Sequence, residues 1–106
     1  MKLSYVMGRI AFWITYLFYT LPADSKDNRR HIHIFKGKGR RIQSLAKIWI
    51  EQNGVKNISI AYNNGISARD LKIILQLIDE NWDDLTKRIE DSFTGKNISI
   101  IELKTK

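Results

Sequence analysis

The chain has 106 residues, 43% hydrophobic and 27% charged, with no cysteine and a formal net charge of +7. That length suits a single domain spanning residues 1–106 around one core, because two cores would each be too small to be stable. The composition excludes a disordered chain, and the lack of cysteine excludes a disulfide framework or a thiolate-ligated zinc site, as fits a protein of the reducing cytoplasm.

The first apolar stretch, Ile10 to Leu21, is too short for a membrane span, which takes about 20 residues. Arg9 before it and the basic run after Pro22 make it a poor signal peptide, so no membrane association is expected. Its β-branched and aromatic residues from Ile10 to Tyr19 read as one central strand covered on both sides. Pro22, Asp24, Ser25, Asp27 and Asn28 mark a loop. From Arg30 to Lys36 the side chains alternate, with Ile32 and Ile34 on one face and His31, His33 and Phe35 on the other. The glycine-punctuated stretch from Lys36 to Arg41 reads as a basic loop.

Leu45–Glu51 alternates as a second strand, with Ala46, Ile48 and Ile50 opposite Lys47 and Trp49. Asn53-Gly54 is a strong hairpin signal, because a type I′ turn needs positive φ at both central positions; it joins that strand to Asn57–Ala61. Ser67 is a good helix N-cap, with Asp70 placed for a capping box. Leu71, Ile74, Leu75, Ile78, Trp82, Leu85, Ile89 and Phe93 follow at the spacing of one apolar helical face, in one long helix or two short ones broken near Asn81. Gly95 is placed to end it, and Asn97–Leu103 reads as a last strand. Lys-Asn-Ile-Ser-Ile occurs at 56–60 and again at 96–100, and both copies read as strand starts rather than as a repeat architecture.

The charge is unevenly placed. Residues 26–41 hold seven cations against Asp27, a net +6, whereas residues 79–91 hold six acids against Lys87 and Arg88, a net −4. Such a chain has one face for polyanions and another that repels them. His31 and His33, the only histidines, fall inside the basic segment on one strand face. They can act as an acid/base pair or as phosphate ligands beside Arg29, Arg30, Lys36, Lys38, Arg40 and Arg41. As a metal site the pair lacks a third ligand and stands among cations, so no metal or cofactor is expected. Trp13, Trp49 and Trp82 read as core residues, with Trp49 the partial exception because Lys47 and Glu51 share its face.

Arg30-His31-Ile32-His33-Ile34, Gly65-Ile66-Ser67-Ala68-Arg69-Asp70-Leu71 and Ile78-Asp79-Glu80-Asn81 resemble a family of small prokaryotic proteins, the domain of unknown function DUF4160. The resemblance runs from about Gly8 to Phe93, with Arg29-Arg30 where the family has prolines and an added strand after Gly95. It implies a toxin–antitoxin-like gene context, a two-component partner and an RNA-directed role, without a defined reaction. The expected fold is α+β: an antiparallel sheet of four or five strands with one long or two short helices packed on one face. The expected function is a toxin-like protein that interacts with RNA or another polyanion through a basic surface bearing His31 and His33. The alternative is a non-enzymatic module that binds a small acidic partner protein.

Overall fold

The computed structural model describes residues 8–20, 29–38 and 41–105. Six strands form one sheet: β1 (Gly8–Trp13), β2 (Tyr16–Thr20), β3 (His31–Lys38), β4 (Arg41–Gln52), β5 (Val55–Asn63) and β6 (Ile101–Glu102). Their order is β5-β4-β3-β2-β1-β6. Each of the first four strands pairs antiparallel with the next, and only β6 joins in parallel, against β1. Two helices, α1 (Ala68–Glu80) and α2 (Trp82–Phe93), pack on the sheet. The fold is α+β, as the sequence implies. No helix among the described residues is long and apolar enough to cross a membrane.

The helices cover the face that the aliphatic alternation marks. Phe18, Ile32, Ile34, Ile48 and Ile50 are fully buried there with Ile74, Ile78, Leu85 and Ile89. Truncating any of these aliphatics to alanine removes about 2–5 kcal/mol, so this face is where folding energy is concentrated. The Ser67 hydroxyl accepts from the Asp70 N–H at 3.2 Å and starts α1. The Asp70 carboxylate does not close a capping box. It accepts from the Tyr16 hydroxyl at 2.6 Å and ties the helix start to β2.

The helical segment is two helices, and Asn81 divides them. Its side-chain amide donates to the Leu77 carbonyl at 2.8 Å, closing α1, while its own carbonyl accepts from Leu85 in α2. Gly95, at φ 78°, ends α2: Lys96 N–H donates to the Asp91 carbonyl and Gly95 N–H to the Ser92 carbonyl, a Schellman motif.

Four sequence expectations are corrected. The stretch from Ile10 to Tyr19 is a hairpin, β1 and β2, turned at Ile14 and Thr15, rather than one strand. Most of the expected basic loop is strand: β3 runs to Lys38, β4 starts at Arg41, and the two pair there, with Gly39 and Arg40 outside the described residues. The C-terminal strand is only Ile101–Glu102, so the second Lys-Asn-Ile-Ser-Ile lies before it and is not a strand start. Finally, Trp82 stands outside the hydrophobic core. Half-buried where the helix restarts, it has the Lys56 ammonium 5.6 Å from its ring centroid.

Candidate anion-binding face of the sheet

With the aliphatic side chains of β3 turned to the helices, His31, His33 and Phe35 point to the opposite face. Ring contacts place them together. The His31 ring meets His33 edge-on at 4.9 Å between centroids and Trp49 of β4 edge-on at 5.2 Å. Phe35 lies 6.4 Å from His33 and edge-on to Tyr19 of β2 at 5.0 Å. The face is an aromatic layer crossing three strands.

Cations are set into this layer. The Arg29 guanidinium lies 4.6 Å from the Trp49 ring centroid and the Lys47 ammonium 4.3 Å from it. Arg29 is fixed in place, donating from Nε to the Glu51 carbonyl at 2.6 Å and from Nη2 to the Ser59 hydroxyl at 3.2 Å. On β1, Arg9 donates to the Tyr19 hydroxyl from Nε and Nη2, at 3.3 and 3.2 Å, with its guanidinium 5.6 Å from that ring. Among the described residues, none of Arg9, Arg29 and Lys47 is paired with a carboxylate. Several cations elsewhere are paired: Lys56 with Asp79, Arg88 with Asp84, and Lys87 and Lys96 with Asp91.

The two histidines differ in access. His31 is 3% exposed, and its Nδ1 lies 3.1 Å from the Arg29 carbonyl. A carbonyl only accepts, so Nδ1 carries the proton and Nε2 is left as the acceptor of the neutral ring. His33 is half-buried. A ligand on this face therefore meets His33, and His31 acts on it only through the ring contact between them. Both histidines lie on the face that the alternation predicts, and of the two His31 is the one closed in, by Trp49 and His33.

The basic residues also separate. Arg29 joins the histidine face. Arg30, the next residue along, turns to the acids: its Nη2 donates to Glu90 of α2 at 2.9 Å, and its Nε lies 3.6 Å from Glu51. Lys36, which pairs with Tyr16 across the strands, lies 5.9 Å from that ring on the helix-covered side and is exposed. Arg40 and the side chains of Lys38 and Arg41 lie outside the described residues. Lys47 and Arg9, by contrast, belong to the face although neither falls in the basic run. The signal for Lys47 was its two-residue spacing from Trp49; for Arg9 it was hidden by the unrecognised β1–β2 turn.

The arrangement can hold an oxyanion: two cations that pair with no carboxylate among the described residues lie against one indole, near an imidazole that can donate or accept. Among the described residues no three metal-ligating side chains cluster. A cleft at the α1–α2 junction, lined by Lys56, Asp79, Asp83, Asp84 and Trp82, is acidic apart from Lys56, which pairs with Asp79. No curated protein and no solved structure matches the chain. The family described as Domain of unknown function (DUF4160) matches residues 13–88, from the end of β1 into α2. That match takes in well over half of the chain, including His31, His33 and Trp49, and the chain belongs to the DUF4160 family.

Proposed function

We propose that this protein binds RNA through the face that carries Arg29, His33, Lys47 and Trp49, as the toxin-like member of a two-component module. The observation that carries the reading is the placement of Arg29 and Lys47 against the Trp49 ring, 4.6 and 4.3 Å from its centroid, with no carboxylate paired to either among the described residues. Two half-buried like charges repel, and a phosphate relieves the repulsion while taking hydrogen bonds from both. His33 stands beside them as a further phosphate ligand or as the proton-exchanging group. The two-component setting rests on the family resemblance alone, and its readout is growth arrest on expression, relieved by a co-expressed partner.

Binding of a single-stranded RNA oligomer should fall steeply with salt, as expected when several phosphates displace their counterions. The double variant Arg29→Gln/Lys47→Met should keep its melting temperature within a few degrees and lose most of the affinity. Affinity that stays flat with salt, or survives in the double variant, overturns the reading.

A second reading has its own observation. The strand β5, at the edge of the sheet among the described residues, exposes Val55 at 67% and Ile60 at 45%. A non-enzymatic module could take a strand of a small acidic partner there. Two bulges in its pairing with β4 make β5 irregular, which is why the RNA reading leads.

A further inference from the structure

The strand registers align five residues in one row across the sheet. Arg9 of β1 pairs with Tyr19 of β2, Tyr19 with His33 of β3, His33 with Lys47 of β4, and Lys47 with Tyr62 of β5. Directly opposed residues share a sheet face, and neighbouring strands lie about 4.8 Å apart, so the row runs roughly 19 Å at right angles to the strands. No acidic residue belongs to it. The cations Arg9 and Lys47 stand three strand intervals apart, about 14 Å. Between them are the Tyr19 hydroxyl, held by Arg9, and the His33 ring, and beyond Lys47 is Tyr62, 38% exposed.

We infer that this row is the track of a single-stranded nucleic acid, which crosses the strands from β1 to β5 with phosphates at Arg9 and Lys47. The inference rests on the proposed RNA reading and deepens it. It names the form of the ligand and adds Arg9 and Tyr62 to the site. Cations interleaved with aromatic side chains are the combination that grips a backbone and offers surfaces to unpaired bases; the rings accessible to them here are His33 and Tyr62, since Tyr19 is buried and serves to hold Arg9. A duplex hides its base faces in the stack and gains nothing from the rings, so the arrangement discriminates for single strands. The track also accounts for the orientation of the basic segment. Arg30 and Lys36 are turned from this face and take no part.

The test is fluorescence anisotropy with a labelled single-stranded RNA of about ten nucleotides and its duplex form, each across a series of salt concentrations. Arg9→Gln and Lys47→Met remove one charge each and keep most of the stem, so the fold should survive; circular dichroism and melting confirm it. Each should lower the slope of log affinity against log salt by about 0.7, and the double variant by about 1.4. Tyr62→Ala should weaken the single strand several-fold and leave the duplex unchanged. Lys72→Ala, an exposed cation of α1, should change neither. Single-strand binding with an undiminished slope in Arg9→Gln, or equal affinity for the duplex, overturns the track while RNA binding itself stands. Wild-type protein that binds no RNA at low salt overturns both.

Discussion

Replacing His31 with Gln is expected to cost about 1–3 kcal/mol, because a buried ring that donates to the Arg29 carbonyl and packs edge-on to Trp49 and His33 is lost from a site that excludes water. His33→Gln should cost under about 1 kcal/mol, since that ring is half-buried, yet it should reduce RNA binding the more of the two. Urea unfolding beside RNA titration separates the effects; equal destabilisation by the two changes would contradict the difference in burial. Tyr16 offers a pH test. Burial, then its hydrogen bond to Asp70 and the carboxylate's charge, push its hydroxyl up to about 12. The folded protein therefore holds this proton through a range where the unfolded chain, with a tyrosine near 10, releases it. The stabilisation is complete below pH 10 and is lost as pH rises towards 12. Alkaline melting should show that loss in wild type and a shallower decline in Tyr16→Phe.

At the scale of elements, the two hairpin turns explain what could be read from the sequence. Asn53 and Gly54 adopt φ of 53° and 80°, and both residue types tolerate that region, so the turn was legible. The β1–β2 turn puts Ile14 at φ 55°, where a β-branched residue is disfavoured, and Ile14 is 67% exposed at its tip. No local residue signals this turn; it is imposed by pairing on both sides, Trp13 with Tyr16 and onward to Gly8 with Thr20. Ile14→Gly should therefore stabilise the protein by about 1 kcal/mol, the left-handed penalty it removes. Thermal melting checks this, and a lower melting temperature would mean that the Ile14 side chain contributes more than the strain costs. The Ser67 cap was legible for the opposite reason, since it is set by a side chain bonding to its own backbone neighbourhood; at Asn81 the sequence marked where a break would fall but left one helix or two open.

At the scale of the whole molecule, the α+β class was readable because the aliphatic periods of two and of three to four are one-dimensional signals. The candidate face was readable only in part. The net +6 of residues 26–41 is a property of the chain, but a strand sends consecutive side chains to opposite faces, and so Arg29 and Arg30 part company. Lys47 and Arg9 come to the face from other strands through register, which a local count of charge cannot contain. The sheet order has a consequence for the protein as it is made. Strands β1 to β5 are neighbours in sequence as well as in space, so each can zip onto the last as it leaves the ribosome, closing only a short loop each time. Their aliphatic face, with Ile32, Ile34 and Ile48, then waits uncovered until residues 68–93 emerge, and β6 must return from residue 101 to residue 11 to finish the sheet. The order of the elements thus places every residue that covers the apolar side of strands β1 to β5 after the strands themselves, so that side can be buried only once both helices have been made.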